Sequence, residues 1–152
     1  MSENRFTPAV IYRDPKAAIE WLERAFGFER TMLITSPDEE RVLHAEMSLG
    51  GRGRIMIAGE WSERTRSPKA AGLNTQLVHV ELDRDIDAHC DRARKAGGVI
   101  VQEPEDQFYG ARTYRVLDPE GHVWTFSQSV RTVSRAEAEK AIGAKIYAKD
   151  WA

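Results

Sequence analysis

The chain has 152 residues, 41% hydrophobic and 30% charged, with a formal net charge of −2, the balance of one ordinary globular domain. No basic excess points to a nucleic-acid partner. One cysteine, Cys90, excludes an internal disulfide, and no apolar run is long enough to span a bilayer. The N-terminus, Met1 to Arg5, is polar and holds no apolar signal segment. These features predict a soluble, cytoplasmic protein without membrane or nucleic-acid partners.

In chain order, Phe6 to Tyr12 reads as a short strand, with Pro8 near its start where a missing donor is tolerated. Asp14-Pro15 opens a helix as N-cap and first helical residue. Ala18, Ile19, Leu22, Ala25 and Phe26 give it an apolar stripe, and Gly27 suits its left-handed end. Strands are expected over Phe28 to Thr35, Val42 to Leu49 and Arg54 to Ala58. Pro37 to Glu40 and Gly50 to Gly53 form the turns between them. Residues 61–74 are polar and read as a linker.

The same grammar then returns. Gln76 to Leu82 is a strand, Asp83 to Ala96 a helix closed by Gly97-Gly98, and Val99 to Gln102 and Ala111 to Leu117 are strands. Asp118-Pro119-Glu120-Gly121 is a tight turn before a last strand, His122 to Gln128. Gly27 follows Asp14 by thirteen positions and Gly97 follows Asp83 by fourteen. The order and spacing predict a duplicated βαβββ unit. A single unit leaves one sheet face bare, so two must pack to close a core. The expected organisation is a single domain over 1–130, with module one at about 6–60 and module two at about 75–130. A C-terminal helix and tail fill 131–152, where Ser134 and Glu137 have capping-box spacing. Ile146, Tyr147 and Trp151 make the tail amphipathic, and it should dock on its own domain or on a partner.

The run from Asp106 to Phe126 (DQFYGARTYRVLDPEGHVWTF) resembles the second-half signature of the glyoxalase/bleomycin-resistance, or vicinal oxygen chelate, superfamily. Its PhnB-like or bleomycin-resistance-like branch is the nearest in pattern. Ile11-Tyr12-Arg13-Asp14-Pro15, Ala17-Ala18 and Phe26-Gly27-Phe28 are similar to the first-half signature, so the resemblance runs from position 7 to about 128. It implies an α+β fold of two tandem βαβββ modules forming a half-open curved sheet barrel with the ligand site inside. It also implies homodimers, with sites at module or subunit interfaces.

Enzymes of that superfamily hold a divalent metal on His, Gln or Glu. Anchored on the Asp14 and Asp118 motifs, the corresponding positions are Thr7, Met56, Thr125 and either Leu77 or Val78. None is a good ligand for such an ion, and a slip that admits His79 adds only one. The resemblance therefore implies a metal-free, cofactor-free binder that sequesters a small or drug-like molecule in an apolar groove. The competing reading is an enzyme of the superfamily, a lyase, isomerase or dioxygenase, using His44, Glu46 or His79. A third is an interaction module with a filled barrel.

His44 and Glu46 share one face of their strand by alternation. Facing inward they form an acid–base pair or ligand anchor, and facing outward a solvated edge. His79 is a pocket donor or a satisfied core histidine. His89 is expected at the surface or in helix packing, His122 to steady its turn, and Cys90 as an inert packed thiol. Phe108, Tyr109, Arg112 and Tyr114 cluster beside the motif. Tyr109 and Arg112 are expected near the groove mouth; alternatively Arg112 pairs with a carboxylate such as Asp106. Alternation sends Thr125, Met56 and Ala58 inward and Trp124 into the core, so Thr7, Met56, His79, Tyr109, Arg112 and Thr125 are the expected ligand-binding set.

Overall fold

A computed structural model describes residues 5–152; the start of the polar N-terminal stretch, residues 1–4, lies outside the described residues. The first module runs β1 (Ala9–Tyr12), α1 (Pro15–Phe26), β2 (Glu29–Thr35), β3 (Val42–Leu49) and β4 (Arg52–Gly59). A short helix, α2 (Pro68–Ala71), follows inside the expected linker. The second module runs β5 (Leu77–Leu82), α3 (Ile86–Lys95), β6 (Val99–Asp106), β7 (Ala111–Leu117) and β8 (Val123–Ser129), and α4 (Arg135–Ile142) closes the chain.

Each module builds one four-stranded curved sheet, in the orders β1-β4-β3-β2 and β5-β8-β7-β6. In both, the first strand runs parallel to the last and the other pairs are antiparallel. The duplication is thus repeated in topology, and the two sheets do not close into a barrel among the described residues.

Helix α1 forms as its sequence dictates: Asp14 accepts the Ala17 N–H, Pro15 starts the first turn, and Gly27 ends it at φ 75°. Its buried face meets α3. Arg92 of α3 donates to the Arg24 and Glu23 carbonyls, so a cation caps the C-terminal end of α1. Trp21 Nε1 donates to the Ala96 carbonyl at 2.8 Å. One core cluster joins both modules, with Phe26 and Phe28 edge-on or tilted against Trp124 and Phe126.

The Asp118 turn ties the halves together. Its buried carboxylate accepts Tyr12 Oη at 2.6 Å and Trp124 Nε1 at 3.0 Å, plus the backbone N–H groups of Glu120 and His122. His122 does steady the junction, donating through Nε2 to the Ile11 carbonyl at 2.6 Å. Four donors on one carboxylate explain how a buried charge is tolerated there.

Several boundaries differ from expectation for local reasons. β1 begins at Ala9 because Pro8 donates nothing, although its carbonyl still accepts the Met56 N–H. α3 begins at Ile86 rather than Asp83, since Asp85 takes a left-handed φ of 58°. β6 continues to Asp106 through Pro104, which an edge strand with register shifts accommodates. In α4, Ser134 caps the Glu137 N–H, but the Glu137 carboxylate pairs with Arg131, so the capping box is half formed. The tail docks on its own chain through Trp151 Nε1 and the Val133 carbonyl, while Tyr147 is exposed.

Candidate functional site

Strand register decides which side chains share a face. In the first sheet, Ala45, Met47, Ile55 and Ile57 are buried toward the helices. The opposite, helix-free face carries the cross-strand row Met32, Glu46, Met56 and Ala9, beside the pair Ile34 and His44. His44 and Glu46 therefore stand with Met56, not on a separate edge. Their side chains meet at 3.3 Å, and Arg54 reaches the Glu46 carboxylate at 3.9 Å and Thr7 Oγ1 at 3.2 Å. A polar knot of His44, Glu46, Arg54 and Thr7 is thus set among Met32, Ile34 and Met56.

In the second sheet, Tyr114, Val116, Trp124 and Phe126 are fully buried on the helix side, so Trp124 lies in the core as alternation predicts. The helix-free face has three cross-strand rows: Leu77, Val123, Leu117 and Val99; His79, Thr125, Arg115 and Gln102; and Glu81, Ser127, Thr113 and Glu105. Thr125 lies beneath Arg115, whose Nε donates to its hydroxyl at 3.1 Å. Gln102 Nε2 donates to Thr113, which also accepts from Gln107.

The expected set is therefore split. Met56 is on one sheet, with Thr7 just before β1 and held by Arg54; His79 and Thr125 are on the other sheet, and all three strand residues are on the face turned from the helices. Arg112 shares the helix side with Tyr114 and forms the ion pair with Asp106 that was its alternative expectation, with Asp87 of α3 as a second partner. Tyr109 sits exposed in the β6–β7 turn, edge-on to Phe108. Arg115, Gln102 and Arg54 were missed. Alternation outward from Thr125 across the Asp-Pro-Glu-Gly turn would have found Arg115, because Tyr114 and Val116 claim the other face.

A cavity of about 560 Å³ opens at the seam between the β3–β4 hairpin and β5, lined by residues including Phe28, Ile55, Val78, Trp124, Arg54 and His79. It is bounded by neither Met56 nor Thr125.

Cys90 and His89 stand on the helix side, the first buried and the second part-buried. Burial pushes the Cys90 thiol up to about 11, in keeping with an inert packed cysteine. His89 is not at the surface: Nε2 donates to the Phe26 carbonyl at 2.9 Å and Nδ1 accepts from Tyr114 Oη at 2.6 Å. Burial holds its pKa below the ordinary value of 6.5.

Two duplicated modules with this strand order, joined at the Asp-Pro-Glu-Gly-His turn, coincide with a family model. The model for the Glyoxalase/Bleomycin resistance protein/Dioxygenase superfamily matches residues 5–126. The chain belongs to this superfamily. Among solved structures of the superfamily's fold, TioX from Micromonospora sp. ML1 is 34% identical, covering 84% of this chain and 100% of its own, with a TM-score of 0.65. A superfamily protein from Burkholderia phytofirmans PsJN shares the fold at 20% identity, covering 80% of this chain and 95% of its own, with a TM-score of 0.60. The uncharacterized protein Rv0887c of Mycobacterium tuberculosis is 28% identical over 147 residues, 94% of this chain and 85% of its own.

The metal that superfamily enzymes carry does not fit the side chains at the corresponding positions. Met56 offers a thioether, and the Thr7 and Thr125 hydroxyls already accept from Arg54 and Arg115. A divalent cation at Thr7 or Thr125 would meet a guanidinium group, and the one carboxylate beside Met56, that of Glu46, already faces His44 and Arg54. Among the described residues no three His, Cys, Asp or Glu side chains converge as a metal site. No helix among them is long and apolar enough to cross a membrane.

Proposed function

We propose that this chain is a metal-free small-molecule-binding protein of the bleomycin-resistance type, and that its groove forms when a second copy covers the helix-free sheet faces. The observation that carries the reading is the state of those faces. Met32, Ile34, Leu77 and Val99 are each 44–57% exposed on them. Soluble chains seldom leave apolar sheet faces and four sheet edges open without a partner or ligand to cover them. A two-fold assembly is the simplest closure, because each copy supplies both faces. Apolar contact with the Met and Ile side chains would supply most of the affinity, and the few polar groups would set orientation. Likeness to TioX supports this branch of the superfamily, and a cytoplasmic site of action agrees with the single reduced cysteine.

A second reading has its own observation. His44 and Glu46 form a carboxylate-oriented imidazole on the same face, an arrangement that serves proton transfer in a lyase or isomerase. His79, across the strand from Thr125, is the other candidate base.

The test is calorimetric titration of the protein with a naphthalene carboxylate, with light scattering alongside. Twice the 17.2 kDa chain mass and saturable binding are expected. Met56→Trp is expected to abolish binding while leaving the circular dichroism unchanged. A monomer that binds nothing would overturn the reading.

A further inference from the structure

Arg115 is placed unlike the arginines around it. Arg112 on the same strand is held between two carboxylates, Arg94 is clamped by Glu103, and Arg54 reaches Glu46. Arg115 makes one side-chain hydrogen bond among the described residues, from Nε to Thr125 Oγ1, and no ion pair among them. That bond orients the guanidinium and leaves both terminal nitrogens without a partner among the described residues. The surrounding groups are polar and already organised. Gln102 is fixed through Thr113, and Thr125 accepts from Arg115 while keeping its own proton to donate. In the neighbouring row, the Glu105 carboxylate accepts from Gln107, and Glu81 lies on the far edge strand. Arg115 and Gln102 are half-buried, and Thr113, Thr125 and Ser127 beneath them are buried.

We infer that this row, His79, Thr125, Arg115 and Gln102, is an anion subsite that selects ligands bearing a carboxylate at one end of an apolar body. The inference rests on the groove reading above and names its ligand class. Covering the second sheet would strip water from a cation with no counter-charge, which is costly unless the ligand supplies one. A planar carboxylate matches the free terminal edge of the guanidinium, accepting from Nη1 and Nη2 together, which a compact ammonium could not do as well. The Thr125 hydroxyl and His79 are placed to add donors at the sides. The row Leu77, Val123, Leu117 and Val99 lies alongside for the apolar body.

The experiment compares a naphthalene carboxylate with its carboxamide on the wild-type chain and on Arg115→Met and Arg115→Lys. The wild type is expected to prefer the carboxylate by about tenfold or more, as for a charge-assisted bidentate pair. Arg115→Met should bring the two compounds to within about twofold by weakening only the carboxylate, and Arg115→Lys should fall between. Equal binding of both compounds by the wild type would overturn the anion subsite and leave the groove reading standing. Binding of neither would overturn both. Sedimentation of Arg115→Met provides the remaining arm: a retained dimer is expected. Loss of the dimer would show that a partner's carboxylate, not a ligand's, neutralises Arg115, and would overturn the subsite.

Discussion

His89 shows how one side chain can make the joint between modules sensitive to pH. Its two hydrogen bonds fix the neutral tautomer, with the proton on Nε2 toward the Phe26 carbonyl and the lone pair of Nδ1 toward Tyr114 Oη. Phe26 and Phe126 flank the ring, and the positive charge of Arg92 adds to the burial that keeps it unprotonated. The folded pKa is depressed below 6.5, so the unfolded chain takes up a proton first as pH falls. Stability contributed by the neutral ring is therefore complete above the unfolded pKa and is lost as pH drops below it. The loss from this residue cannot exceed about 1.4 kcal/mol per pH unit. Urea midpoints between pH 7 and pH 5 should fall for the wild type and fall less for His89→Gln. Parallel slopes for the two proteins would contradict this placement of the proton.

At the scale of elements, the β6–β7 turn is held by Gly110, whose carbonyl accepts the Val130 and Arg131 N–H groups and whose φ is 95°. A Cβ there would collide with the Arg131 carbonyl oxygen. Gly110→Ala should cost about 2–4 kcal/mol from left-handed strain plus overpacking, measured by chemical denaturation. A change below about 0.5 kcal/mol would show that the turn can relax, as ordinary surface positions do. Much of this level was legible in the sequence. Asp14-Pro15, Gly27 and the Asp118 turn are local signals with local causes, and they set the elements and the duplication. What escaped depended on distant partners. The length of β6 past Pro104 depends on its lying at an edge, and the start of α3 on the left-handed Asp85. Arg112 reads like a groove residue until Asp87 of α3 is seen beside it. For Arg115 alternation gives the face, but its lack of a counter-charge depends on distant strands and is not legible in its local sequence.

For the whole molecule, the helices join the two modules through one core and leave a bare face on each sheet. The position of Met56 and that of Thr125 are equivalent in the duplicated plan, yet one chain puts them on different sheets. We propose that these faces come together only in an assembly, around a ligand with an apolar body and without a metal ion. The methionine methyl groups report on this with an internal control, because Met32 and Met56 lie on the helix-free face whereas Met47 is fully buried on the other. The most direct measurement is a carbon-13 methyl spectrum of the methionine-labelled protein titrated with a naphthalene carboxylate. The Met32 and Met56 resonances are expected to shift and saturate together while Met47 stays in place. Shifts confined to Met47, or saturable binding that moves neither Met32 nor Met56, would contradict it.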